Sequence, residues 1–212
     1  MAKKFAVDLY FDILSPYSYI IYRSKWPMQV TLKPFALQHI FKATGNTSPG
    51  LAAPAYSERD VIRMSRFHNI PLKIRDDFIT IIQTKSSLNA NRLICAVQLA
   101  QPEKGEAVAR ALYRRLWVDQ ADIFQNEDFL EVLSSCGVIC RHSIVSSIAS
   151  EKVKAIIKKN TDEAVESGCF GAPWTVLTLA NGRKEAFFGS DRLHVIGDLM
   201  GCTFDGPLTS TL

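Results

Sequence analysis

Strand-like runs occur only near the two ends of this 212-residue chain, and a long stretch of helical periodicity separates them. Residues 5–14, Phe-Ala-Val-Asp-Leu-Tyr-Phe-Asp-Ile-Leu, are rich in aromatic and branched side chains and read as a buried strand. Ser15-Pro16 follows at once. Ser is a favoured N-cap and Pro is favoured at the first helical position, so a helix is predicted over 16–26, closed by Pro27. A second strand is expected over 29–36, where Val30 and Leu32 alternate with Thr31 and Lys33. This opening is β-α-β, and its short crossover implies a parallel pair.

The period then changes. Residues 43–55 read as loop, with Gly45, Asn46, Ser48, Pro49, Gly50 and Pro54. Ser57-Glu58-Arg59-Asp60 reads as a capping box with Asp in place of Glu or Gln, which starts a helix at Ser57. Further helices are predicted over 87–101, over 105–118, and from Asn126 to Gly137. A long helix carrying Val153, Ile156, Ile157 and Ala164 is stopped by Gly168. The strand signal returns over 175–179, turns at Asn181-Gly182 and runs back over 184–188. A last helix over 191–200 ends at Gly201. The order β-α-β, helical block, β-β-α is that of an α/β, thioredoxin-like sheet split by a large all-helical insertion. The expected division is 1–55 with 169–212 for the thioredoxin-like domain, and 56–168 for the insertion domain.

With 47% hydrophobic and 22% charged residues, wholesale disorder is excluded. Net charge is +4, and the densest basic group (Lys152, Lys154, Lys158, Lys159) is interleaved with Val153, Ile156 and Ile157. That is a solvated helix face, not a nucleic-acid stripe. The longest uncharged stretches, 43–57 and 167–182, fall short of the roughly 18 apolar residues of a membrane span. The N-terminus carries neither an apolar signal region nor an Arg-rich transit pattern. Five cysteines, none in a C-x-x-C, fit a reducing compartment.

In a thioredoxin-like layout the chemistry belongs where the first strand meets its helix. Redox members of that fold carry C-x-x-C there. This chain reads Ser15-Pro16-Tyr17-Ser18, so dithiol exchange at that point is excluded, because a hydroxyl forms no mixed disulfide. What is left is a helix N-terminus bearing a hydroxyl, suited to holding a ligand's thiolate. Ser-Pro also opens many helices that carry no chemistry. Pro173 enters a strand where Pro would remove a ladder donor; an ordinary loop proline is the default on sequence alone, while a cis-proline loop facing Ser15 would explain the position. Such a loop leaves the Ala172 backbone available to an extended peptide. In Gly189-Ser190-Asp191-Arg192, Ser190 is expected to cap the last helix, with Asp191 free to pair with an ammonium group.

Taken in order, four motifs resemble the kappa class of glutathione transferases and the related 2-hydroxychromene-2-carboxylate isomerases, which have a DsbA-like thioredoxin fold. They are Ser15-Pro16-Tyr17-Ser18, Gly45-Asn46, Gly168-x-Phe170-Gly171-x-Pro173, and Phe188-Gly189-Ser190-Asp191-Arg192. The resemblance spans about residue 5 to Pro207. It implies that Ser15 hydrogen-bonds the glutathione thiolate and that Pro16 and Tyr17 shape the site around it. It implies that Asn46 reaches the glycyl end, and that Ala172 beside Pro173 pairs with the cysteinyl unit. Ser190 and Asp191 would bind the γ-glutamyl group. The implied activity is glutathione conjugation to small electrophiles, with hydroperoxide reduction as a further possibility of the same thiolate. Double-bond isomerisation and non-catalytic binding or assembly are the alternatives. The resemblance further implies a homodimer, glutathione as co-substrate with no other cofactor, and a mitochondrial or peroxisomal location, the cytosol staying open. Where family members often carry a Lys beyond the Asn, this chain has Pro54-Ala55-Tyr56, and the nearest base is Arg59. Trp174 is bulkier than the family pattern leads one to expect.

Cys136, Cys140 and His142 match no standard zinc spacing, so no metal site is expected. Cys95 and Cys169 read as packing residues. Ser210-Thr211-Leu212 resembles the Ser-Lys-Leu peroxisomal signal without its central base.

Overall fold

The structure is a computed structural model that describes residues 5–23 and 30–202. Lys3-Lys4, the expected end of the first helix at Trp26-Pro27, the start of the second strand at Gln29, and Ser210-Thr211-Leu212 lie outside the described residues. Strand β1 (Ala6–Phe11) leads into helix α1 (Pro16–Arg23), and β2 (Val30–Pro34) into α2 (Leu37–Thr44). The helical insertion follows as α3 (Pro49–Ala52), α4 (Pro54–Phe67), α5 (Phe78–Thr84), α6 (Leu88–Ala100), α7 (Gly105–Trp117), α8 (Asn126–Ser135), α9 (Arg141–Ser147) and α10 (Glu151–Glu166). The chain closes with β3 (Trp174–Thr178), β4 (Lys184–Phe188) and α11 (Leu193–Met200).

The sheet order is β2-β1-β3-β4. β1 pairs with β2 in parallel and with β3 antiparallel, as the short crossover requires. β1 is central and buried on both faces. Leu9 and Phe11 point into the main core with Ile20, Ile21, Leu93 and Tyr113. Tyr10 points the other way, onto Phe35, Ile40, Ala164, Trp174 and Val176. Period-two alternation thus serves two cores, which explains the near-continuous apolar run in the sequence.

Two expectations are corrected. Residues 43–55 are not all loop: α3 and the start of α4 lie within them. Ser57 does not cap a helix. Pro54 stands at the head of α4, so Ser57 is a buried interior residue whose N–H bonds to Ala53 O at 2.9 Å. Proline's fixed φ and missing donor start the helix before the cap-like tetrapeptide. The Asn126 helix does begin as expected, through a reciprocal capping box between Gln125 and Asp128.

Candidate active site

The strand register gathers the sequence motifs at one end of the sheet. Tyr10 lies opposite Trp174, and Trp174 opposite Phe188. The segments just beyond those residues, 12–15, 171–173 and 189–191, therefore converge. They form the floor of a cavity of about 1190 Å³, which Tyr17 and Asn46 also line. Ser15, Pro16, Tyr17, Asn46, Ala172, Ser190 and Asp191 all line one cleft; Pro173, next in the chain after Ala172, does not line it.

Ser15 is the N-cap residue of α1. Its Oγ accepts from Ser18 N–H at 3.2 Å and donates to Ala172 O at 3.2 Å. The Ala172–Pro173 peptide bond is cis, so Pro173 is not an ordinary loop proline. The hydroxyl is thus polarised by a backbone donor on one side. Its own proton rests on a carbonyl at the cleft wall.

Tyr17 donates to Asp60 Oδ2 at 2.8 Å. Burial first, then the neighbouring Asp60 carboxylate, push its ionisation well above the usual phenol value. Tyr17 is therefore a fixed neutral donor that ties α1 to α4, not a proton acceptor. Asn46 reaches across to the cis-proline loop: its Nδ2 donates to Phe170 O at 2.8 Å, and its Oδ1 accepts from Thr47 N–H at 2.9 Å.

Ser190 is not the helix cap. α11 begins at Leu193, and the residue before it makes no side-chain cap bond. Ser190 Oγ is buried, lines the cleft and has no hydrogen-bond partner among the described residues. An unpaired buried hydroxyl is costly, and this one belongs to a residue that lines the cleft. Gly189 shapes this corner: at φ +90°, a Cβ there would stand 2.8 Å from Asp191 Oδ1. Asp191 is itself paired with Arg192.

Three cleft residues escaped the sequence reading. Asp60 was absorbed into the capping box. Asp12 is a fully buried carboxyl on the floor, held by Leu14 N–H at 2.9 Å and Leu37 N–H at 3.2 Å, and burial raises its pKa. Arg75 is the one Lys or Arg among the described residues lining the cleft; Arg59 is not among them. Arg75 is already committed to Asp77 at 2.8 Å and Asp122 at 2.7 Å. The thiol of Cys169 is buried, donates to Gly171 O at 3.2 Å and is pushed up to about 12 by burial, so it packs and does not react. Among the described residues no cluster of His, Cys, Asp and Glu could hold a metal, and no helix is long and apolar enough to cross a membrane.

The sequence matches the DSBA-like thioredoxin domain family over residues 6–201. It is 33% identical to glutathione S-transferase kappa 2 of Caenorhabditis elegans, covering 98% of this chain and 97% of that one. It is 32% identical to glutathione S-transferase kappa 1 of Homo sapiens, covering 95% and 93%. The chain belongs to the kappa class of glutathione transferases. Among solved structures this kappa-class fold resembles a 2-hydroxychromene-2-carboxylate isomerase, with a TM-score of 0.73 at 21% identity over 92% of this chain and 94% of that one. It also resembles the cytosolic disulfide reductase DsbM of Pseudomonas aeruginosa solved with GSH, with a TM-score of 0.65 at 14% identity over 92% and 96%. The kappa-class chain differs from a C-x-x-C enzyme at the head of α1, where Ser15 and Ser18 stand.

Proposed function

We propose that this kappa-class enzyme binds glutathione in the cleft, holds it as thiolate on Ser15, and conjugates it to small electrophiles. The observation that carries this reading is the Ser15 hydroxyl at the head of α1, fed by Ser18 N–H and facing Ala172 O. Turning that O–H from Ala172 O to a ligand sulfur supplies one hydrogen bond to the thiolate. The same turn releases Ala172 O for the cysteinyl N–H of a peptide. A helix terminus and one hydrogen bond together stabilise an anion by roughly 1–2 kcal/mol. That lowers a thiol pKa near 8.5 by about one unit. Thiolate at pH 7 then rises from roughly 3% to roughly a quarter of the bound ligand.

Ser190 and Asp191 receive the γ-glutamyl group, and Asn46 lies towards the glycyl end. No Lys or Arg that lines the cleft is unpaired, so glutathione's carboxylates meet neutral donors. Those bonds lack the opposite charge that an unpaired Lys or Arg would add, and a glutathione affinity weaker than an ion-paired site would give, roughly millimolar, is expected. The wall opposite Ser15, from α4 and α5, presents Val61, Met64, Phe78 and Ile82 to an apolar acceptor. It also carries Glu58 and Asp60. That favours a neutral electrophile over a carboxylate such as an isomerase of the neighbouring type would take. Hydroperoxide reduction through the same thiolate, a homodimer, and a mitochondrial or peroxisomal location belong to this reading on family likeness alone.

The test is a glutathione titration that follows the ultraviolet band of the thiolate, for the native protein and for Ser15→Ala. Saturable binding with thiolate at pH 6–7 that Ser15→Ala loses supports the reading. Absence of binding at millimolar glutathione overturns it and directs attention to protein partners.

A further inference from the structure

The segment that carries Ser15 is held partly by its own bonds, Ser15 N–H on Asp12 O and Leu14 N–H on Asp12 Oδ1 at 2.9 Å, and partly from outside. Residues 12–14 are buried between β1 and α1, so each of their peptide groups needs a partner. Three further partners come from the helical insertion. Ile13 N–H donates to Asn91 Oδ1 at 3.3 Å. Ile13 O accepts from the Trp117 indole N–H at 2.9 Å. Asp12 O accepts from the Tyr113 hydroxyl at 3.3 Å, beside the Ser15 N–H at 3.0 Å. Asn91 also donates to Phe35 O at 2.9 Å, which fixes the chain leaving β2 against the same point. Asn91, Tyr113 and Trp117 are each at most 1% exposed. Trp117 in turn stacks edge-on with Phe78, a side chain of the acceptor wall, at 5.3 Å between ring centres.

We infer that Asn91, Tyr113 and Trp117 are positioning residues for the thiolate. Through the peptide groups of residues 12–14, the helical insertion sets the direction of the Ser15 hydroxyl and of the first amides of α1. The inference rests on the reading of Ser15 as the thiolate's hydrogen-bond donor. The physical ground is the asymmetry of buried hydrogen bonds. Losing the indole N–H leaves Ile13 O buried without a donor, and the segment relaxes towards the water of the cleft rather than bear that cost. Ser15 is two residues away and moves with it. A hydrogen bond weakens steeply once its angle drops, so a small turn of the segment is enough to weaken the hold on sulfur.

The experiment measures the thiol pKa of enzyme-bound glutathione from the pH dependence of the thiolate band. Native protein, Ser15→Ala, Trp117→Phe, Tyr113→Phe and Phe129→Leu are compared below their melting temperatures. Each variant leaves the cleft carboxylates Asp12, Glu58, Asp60, Asp76 and Asp191 in place, as well as Tyr17 and Arg75. Phe129 lies in the same core on α8 and has no polar contact with residues 12–14, so it serves as the control for destabilisation alone. Trp117→Phe is expected to raise the bound pKa by about half a unit to one unit, with turnover at pH 6.5 falling about three- to tenfold. The KM for glutathione should change by less than about twofold, since the ligand's own contacts are kept. Tyr113→Phe removes one hydroxyl only, should shift the pKa in the same direction by less, and decides the matter if Trp117→Phe does not fold. Phe129→Leu should melt earlier with the native pKa. If Ser15→Ala raises the pKa while Trp117→Phe or, in its place, Tyr113→Phe leaves it unchanged, the inference is overturned and the function stands. An equal shift in Phe129→Leu overturns it too, by making the effect general loosening. If the native protein shows no lowered pKa, the functional reading falls first and takes the inference with it.

Discussion

At the scale of single residues, the proposed function gives Ser15 one task, which is to favour the charged form of a thiol. A thiol whose pKa is lowered is ionised at lower pH, and the benefit vanishes once pH exceeds the unperturbed value. Ser15→Ala should therefore cost about tenfold in kcat/KM near pH 6.5, and the gap should close above about pH 9. A rate profile from pH 6 to 9.5 checks this; a uniform loss at every pH would mean Ser15 acts otherwise. Tyr17 contrasts with it. Its hydroxyl is spent on Asp60, so Tyr17→Phe should leave the pH profile in place and remove about 1 kcal/mol of stability. Urea unfolding beside the same rate profile separates the two effects.

At the scale of elements, side chains rather than backbone join the sheet to the insertion. Lys33 on β2 bonds Asp8 on β1 at 2.9 Å and Glu163 on α10 at 2.8 Å, while Tyr10 also donates to Glu163 at 3.2 Å. The Lys33 ammonium holds the Glu163 carboxyl below its ordinary value. A carboxyl whose folded pKa is depressed adds stability above its unfolded pKa of about 4.3, and that stability is lost as pH falls through the folded pKa. Lys33→Met should therefore be less stable than the native protein at pH 7, with the difference shrinking below about pH 4. Thermal melts across that range test the sign. The 189–191 corner links β4 to α11. Gly189→Ala places a Cβ against Asp191 at a φ that side chains rarely adopt, and should cost about 1–2 kcal/mol along with glutathione affinity. Melting and titration of the variant read both losses.

At the scale of the whole molecule, stability depends on a central strand buried on both faces. Phe11 is fully buried, against Tyr22 at 5.6 Å and Tyr113 at 6.0 Å between ring centres. Phe11→Ala should cost about 3–5 kcal/mol of the roughly 5–15 that a domain has in total. The denaturation midpoint should fall sharply, and a midpoint near the native one would show that the core can collapse into the space.

What the sequence by itself determined is whatever leaves a local mark. The apolar run of β1, the alternation in β2, the Asn181-Gly182 hairpin, the helix stops at Gly168 and Gly201, and the Ser-Pro start of α1 are each short-range patterns, and each recurs in the structure. The position of Pro173 raised the cis bond as one of two readings, beside an ordinary loop proline, and the structure has the cis form. The tertiary structure decided the pairings between residues far apart in the chain. Ser15 meets Ala172 across 157 positions, and Ile13 meets Asn91 across 78. Nothing near Asn91 or Trp117 distinguishes a support for the site from an ordinary core position. Ser57 and Ser190 fail as caps for a related reason. A cap signature records what a residue does for its own helix, whereas Pro54 in one case and the convergence of two loops in the other set what surrounds the hydroxyl. Periodicity is a property of a few consecutive residues, so the chain order shows it. A cleft is a property of which strand ends lie side by side, and only the sheet register determines that.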